Sequence, residues 1–187
     1  ALSLKEVLSE GKGKSVATPQ LLHEDIAFLQ YTGGTTGVSK GAILTHRNVI
    51  AALLQYKVWL QPAIGNERPV IITALPLYHI FSLTVNALNM MVVGGENVLI
   101  TNPRDIPGFI KELAKHKYTI ITGVNTLFNA LLNNPEFGKL DFSSLKLAVG
   151  GGMAVQKAVA DRWKQVTGVT LIEGYGLTET APSATAN

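Results

Sequence analysis

The chain has 187 residues, 47% of them apolar and 16% charged. That composition supports a buried core, in one domain or a piece of a larger one, and excludes a disordered chain. The formal charge of +3 comes from scattered basic residues, and the absence of cysteine excludes disulfide scaffolds, thiolate zinc sites and a cysteine nucleophile.

Residues 1–25 read as a short helix over 2–9 followed by a turn-rich linker with Gly11, Gly13 and Pro19. From Ile26 an alternation begins. Short β-rich runs fall at 26–32, 70–74, 97–101, 119–122, 146–149 and 170–173. Segments with helical spacing fall at 47–60, 80–93, 106–116, 126–132 and 155–167. The repeated order of strand, helix and strand predicts an α/β fold: a mostly parallel sheet flanked by helices on both faces. A continuous apolar run such as Val70-Ile71-Ile72 fits a sheet buried on both sides.

Local signals punctuate these elements. Asp105 before Ile106-Pro107 is an acidic cap with proline in the first turn, and Gly168 is a stop after 155–167. The longest apolar stretch, 80–93, carries Ser82, Thr84, Asn86 and Asn89 and is too short to span a membrane. The densest basic cluster is Lys111, Lys115 and Lys117. No basic stripe carries interleaved aromatics, which argues against nucleic acid as a partner. No signal peptide or initiating Met opens the chain, and residues 183–187 are expected to lack a closing element, so both ends read as cuts inside a longer protein.

The most informative stretch is Tyr31-Thr32-Gly33-Gly34-Thr35-Thr36-Gly37-Val38-Ser39-Lys40-Gly41, followed by Ala42. Glycines let backbone amides approach an anion closely, the hydroxyls add donors, and Lys40 supplies a point charge. This concentration favours a phosphate loop over an ordinary surface turn. It is not a Walker A loop, because Ser39 precedes Lys40 and Gly41 follows it. Residues 37–41 also match Gly-x-Ser-x-Gly, the nucleophile elbow of hydrolases, and Asp105 and His116 follow in order. An elbow needs a strand ending at the serine and a helix starting there. Here the apolar run ends near Thr32 and a second one, 42–44, follows the loop, so the loop reads as a hairpin tip and a Ser39 hydrolase is the minor alternative. A non-catalytic nucleotide-binding module is another.

Gly174-Tyr175-Gly176-Leu177-Thr178-Glu179 lies after a β-rich run, where ligands of open α/β sheets collect. Tyr175 is placed to stack on a base, Thr178 to bond a phosphate oxygen, and Glu179 to hold a hard cation such as Mg²⁺. Taken alone, a solvated turn explains this run as well. Gly150-Gly151-Gly152 follows another strand and implies a close approach. His79, in Pro76-Leu77-Tyr78-His79, reads by itself as a structural histidine. No grouping of His and carboxylates has zinc-site spacing.

Together these stretches resemble the adenylate-forming superfamily of acyl-CoA synthetases, luciferases and peptide-synthetase adenylation domains. The segments 75–81 (LPLYHIF), 101–113 (TNPRDIPGFIKEL), 122–132 (TGVNTLFNALL) and 140–153 (LDFSSLKLAVGGGM) are similar to its bacterial long-chain fatty acyl-CoA ligases. The resemblance implies ATP, Mg²⁺, coenzyme A and a long-chain fatty acid as the molecules handled, with a ligase for another carboxylate as the nearest rival. It implies that residues 32–40 hold the β- and γ-phosphates. Gly150, Gly151, Gly152, Gly174 and Tyr175 would frame the adenine and the acyl entrance, with Gly176 beside them. Thr178 would meet the α-phosphate, Glu179 the Mg²⁺, and His79 would lie near the acyl carboxylate. It also implies that residues 26–187 form the central ATP-binding portion of a larger domain, with a separate C-terminal lid outside this chain. The implied location is cytoplasmic, with scope for peripheral association at the inner membrane face.

Overall fold

The computed structural model describes residues 2–32 and 40–187. An eight-residue helix, α1 (Leu4–Gly11), opens the chain with a capping box between Ser3 and Glu6 and buries no residue. Next, β1 (Ile26–Thr32) and β2 (Lys40–Thr45) pair antiparallel, with Thr32 opposite Lys40, so residues 33–39 connect the two strands of a hairpin. Thr45 then caps α2 (His46–Ile64): its hydroxyl accepts from the Asn48 amide at 3.3 Å, and the Asn48 side chain accepts from the Thr45 amide at 3.0 Å.

The main sheet contains β3 (Val70–Thr73), β4 (Glu96–Leu99), β5 (Ile120–Gly123), β6 (Leu147–Gly150), β7 (Leu171–Gly176) and β8 (Ser183–Ala186), in the spatial order β4-β3-β5-β6-β7-β8. The first four pairings in that order are parallel, and β8 closes the sheet antiparallel to β7. The helices α3 (Asn89–Val93), α4 (Ile106–Leu113), α5 (Asn125–Leu132) and α6 (Lys157–Thr167) complete the fold. The predicted α/β architecture stands, with element ends shifted by up to four residues, as where α2 runs on to Ile64.

Alternation along the strands decides which face each apolar residue joins. Ile72, Ile121 and Ala148 pack with α4, α5 and α6, around Trp163 and Phe128, whose rings meet edge to face at 4.8 Å. Ile71, Ile120 and Leu147 point to the other side, against Leu60 and Ile64 of α2 and Met90 of α3. Helices therefore cover both faces.

Two expectations need correction. Residues 183–187 do contain a closing element, β8, although Ser-Ala-Thr-Ala has almost no apolar pattern; its pairing is set by backbone bonds to β7. The segment 80–93 is not a plain α-helix, because Ser82–Leu88 form a π-helical stretch. The wider turn coincides with Asn86 packing onto the sheet, where its amide donates to Thr73 Oγ1 at 2.9 Å and Thr122 Oγ1 at 2.8 Å. Among the described residues, no helix is long and apolar enough to cross a membrane.

Candidate active site

The carboxyl ends of β5, β6 and β7 face one cavity of about 520 Å³. Its mouth is built from glycines and hydroxyls. The Gly151 amide donates to the Gly123 carbonyl at 3.0 Å, fixing the turn after β6, and Gly152 takes a left-handed φ of 76°. Glu173 on β7 accepts the Val155 amide at 3.1 Å, which holds the 150–155 loop against the neighbouring strand. Gly176 sits so close to the Pro182 carbonyl that a β-carbon there would overlap its oxygen. Beyond it, Thr178–Thr180 form a short 3-10 turn, secured by the Leu177 amide donating to Thr180 Oγ1 at 2.9 Å.

The hairpin and the 75–79 loop complete the mouth. Gln30 Nε2 donates to the Tyr78 carbonyl at 2.7 Å, tying β1 to that loop. His79 Nδ1 accepts the Phe81 amide at 3.2 Å, which caps the helical segment behind it and leaves Nε2 for other partners. The structural and functional readings of His79 are therefore compatible. Thr32 Oγ1 donates to the Lys40 carbonyl at 3.3 Å across the base of the hairpin.

Of the predicted residues, Thr32, His79, Gly151, Gly152, Gly174, Tyr175, Gly176, Thr178 and Glu179 all line the cavity. Gly150 is buried one residue below the mouth. Tyr31 lies on the other face of the hairpin, its ring over Gly41, and neither they nor Ala42 line the cavity. Lys40 is exposed and forms no ion pair among the described residues. Gly33, Gly34, Thr35, Thr36, Gly37, Val38 and Ser39 lie outside the described residues.

The hydrolase partners are occupied elsewhere. Asp105 caps α4 by accepting the Gly108 amide at 3.0 Å. His116 pairs with Glu112 at 3.1 Å, and Lys115 and His116 together hold the Glu112 carboxyl below its usual range. Neither residue lines the cavity.

Sequence reasoning missed the interior. Below the mouth the wall consists of Ile71, Ile120, Leu147 and Val149 from the sheet, with Gln55, Tyr56, Trp59 and Leu60 of α2 opposite. Thr122 also faces inward, but its hydroxyl is engaged by Asn86, so it offers no unpaired polar atom. Burial raises the Tyr56 phenol, with Ser183 opposing that shift. The alternation of β3, β5 and β6 carried part of this signal; the facing turns of α2 did not. Among the described lining residues, Glu179 at the mouth is the only carboxylate, lysine or arginine. The cavity is thus polar at its mouth and largely apolar in depth.

Residues 2–187 match the family of AMP-binding enzymes, and the chain belongs to that family. It is 59% identical to a long-chain-fatty-acid--CoA ligase of Escherichia coli O157:H7 over 187 residues, which are all of this chain and 33% of that protein. The chain thus spans about a third of the length of the curated relatives it matches. The anthranilate CoA ligase AuaEII in complex with anthranoyl-AMP superposes with a TM-score of 0.80 at 28% identity, covering 92% of this chain and 33% of that one. ATP-bound MatB from Rhodopseudomonas palustris superposes with a TM-score of 0.80 at 28% identity, covering 97% and 35%.

Proposed function

We propose that the full-length protein activates a long-chain fatty acid in two steps. A carboxylate oxygen of the acid attacks the α-phosphorus of ATP and pyrophosphate leaves, giving the acyl-adenylate. The thiol sulfur of coenzyme A then attacks the acyl carbonyl and AMP leaves, giving the thioester. The observation that carries this reading is the cavity itself: a phosphate-suited mouth opening onto an apolar interior. The fatty-acid ligase at 59% identity and the structural likenesses to proteins holding anthranoyl-AMP and ATP support the same assignment.

In this reading residues 26–187 are the central ATP-binding portion of the protein. Residues 32–40, Lys40 among them, hold the β- and γ-phosphates. The 150–152 turn and Tyr175 frame the adenine, and Thr178 bonds the α-phosphate. His79 Nε2 orients the acyl carboxylate. Phosphoryl chemistry of this kind is driven by positioning and charge stabilisation rather than by a covalent protein group. No serine nucleophile is needed.

Glu179 is exposed and forms no ion pair among the described residues, and no group of three potential metal ligands exists among them. A single free carboxylate beside a phosphate site fits Mg²⁺, which takes one or two protein carboxylates together with substrate phosphates. When bound, Mg²⁺ would supply neutralisation of phosphate charge. In this reading the protein works in the cytoplasm, with peripheral association at the inner membrane face.

The test is pyrophosphate release by the full-length protein with ATP and a panel of acids, followed by thioester formation on adding coenzyme A. Long-chain acids should give the fastest release. Release with malonate or an aromatic acid but none with palmitate would overturn the substrate assignment.

A further inference from the structure

We infer that Trp59 sets the depth of the acyl cavity and with it the longest chain the protein accepts. The inference rests on the fatty-acid reading above.

The sheet provides a depth scale. Strands β3, β5, β6 and β7 run parallel, with Gly151 and Gly174 at the mouth end. One layer down lie Thr122 and Val149, paired in register; the next layer holds Ile71, Ile120 and Leu147, also in register. From Gly151 to Leu147 is four residues, roughly 13 Å at a strand rise of about 3.3 Å per residue. Ile71, Ile120 and Leu147 sit at or next to the amino ends of β3, β5 and β6, so this is the lowest layer of the lining.

The opposite wall shows the same ordering. Val49, Ala52 and Leu53, early in α2, cluster with Ile80 and Ala181. Leu60 and Ile64, late in α2, cluster with Met90, with Ile71, Ile120 and Leu147 of the lowest layer and with Val149 above it, and Trp59 packs against that group. The helix therefore descends from mouth to floor. Tyr56 packs with the early-α2 cluster and Trp59 with the late-α2 one, and both line the cavity together with Gln55 and Leu60. Trp59 is the largest of the α2 side chains on this wall and is half-buried. Leu60 is held within the core and is nearly fully buried. The indole is thus the group that a lengthening chain meets.

Two experiments on the full-length protein test this. The first measures kcat/KM for pyrophosphate release with saturated acids from octanoate to stearate. Trp59→Ala should shift the preference towards longer acids. Each methylene that gains a buried place is expected to add roughly fourfold to kcat/KM. Trp59→Phe, which keeps an aromatic filling and protects the fold, should shift it less. The second uses stearate brominated near its carboxyl end, at mid-chain or near its methyl end, as a quencher of tryptophan fluorescence. The difference between the protein and Trp59→Phe isolates the Trp59 signal, while Trp163, buried on the other side of the sheet, remains in both. The methyl-end isomer should quench Trp59 most strongly. An unchanged chain-length profile in Trp59→Ala, or equal quenching by the three isomers, would overturn the assignment of Trp59 while leaving the ligase reading intact. Loss of both pyrophosphate release with every fatty acid and quenching by every isomer would overturn the two together.

Discussion

The side chains of Asn86 and Thr122 bond each other in both directions: Nδ2 donates to Oγ1 at 2.8 Å, and Oγ1 donates back to Oδ1 at 3.2 Å. Both residues are fully buried. The pair couples the π-helical stretch to the centre of the sheet, and Asn86 also donates to Thr73, whose hydroxyl passes its own proton to Asn97 Oδ1 at 2.9 Å. Asn86, Thr73 and Thr122 thus engage one another's polar atoms, so the Thr122 hydroxyl is already committed where that residue lines the cavity.

Breaking that pair has a stated cost. Asn86→Leu strands the Thr122 hydroxyl in an apolar site, and an unsatisfied buried hydroxyl costs about 1–3 kcal/mol. Urea denaturation should show a loss of that size. The double variant Asn86→Leu, Thr122→Val removes both halves of the bond and should lose less than the sum of the single variants. Additive losses would mean that the two side chains do not depend on each other.

Tyr118 behaves in the opposite way. It is buried, its hydroxyl has no hydrogen-bond partner, and burial, reinforced by the charge of Asp141, pushes its phenol well above the ordinary value. A raised acid favours the fold while neutral. Its contribution is therefore complete below the unfolded value of about 10 and is lost as pH rises from there towards the folded value. Tyr56 is raised in the same direction. Stability should decline above about pH 10, and Tyr118→Phe should shallow that decline while costing nothing at neutral pH. Urea midpoints across alkaline pH, read beside phenolate absorbance, measure both effects. A variant with the parent's pH profile would count against the assignment.

Gly176 is predicted to be intolerant of any side chain. The methyl of Gly176→Ala would overlap the Pro182 carbonyl, so β7 and β8 must separate locally. Overpacking of this kind costs about 1–3 kcal/mol. Because Tyr175 and Thr178 flank the same turn, full-length enzyme carrying the variant should also lose activity beyond what its stability loss explains, measured well below its melting temperature. Gly174→Ala is the control for the stability loss alone, since a β-carbon there meets nothing closer than 3.9 Å.

Glu179→Gln keeps the size of the side chain and removes its charge. In the full-length protein the adenylation rate should fall more than ATP binding weakens. A loss of about 2.7 kcal/mol of transition-state stabilisation corresponds to roughly a hundredfold slower reaction. Pyrophosphate release at saturating fatty acid, measured across Mg²⁺ concentrations, gives the answer. A rate and a Mg²⁺ dependence within a few fold of the parent would return Glu179 to the status of a solvated turn residue.

Local chemistry along the chain was enough for the α/β class and for many of the residues that line the cavity mouth. Short β-rich apolar runs marked the parallel strands, Asp105 and Gly168 marked helix ends, and the glycine and hydroxyl runs marked the strand ends where Gly151, Tyr175 and Thr178 now line one cavity. Each of those signals resides in neighbouring residues. Three features do not. The strand β8 exists because the β7 backbone offers a partner to a nearly featureless Ser-Ala-Thr-Ala segment. The π-helical stretch accompanies bonds between Asn86 and strand residues 13 and 36 positions away, against an apolar spacing that by itself reads as an ordinary helix. The depth of the cavity depends on Trp59 meeting the layer of Ile71, Ile120 and Leu147. That meeting is set by where α2 packs across the sheet, a long-range outcome of burial that no short window of sequence contains.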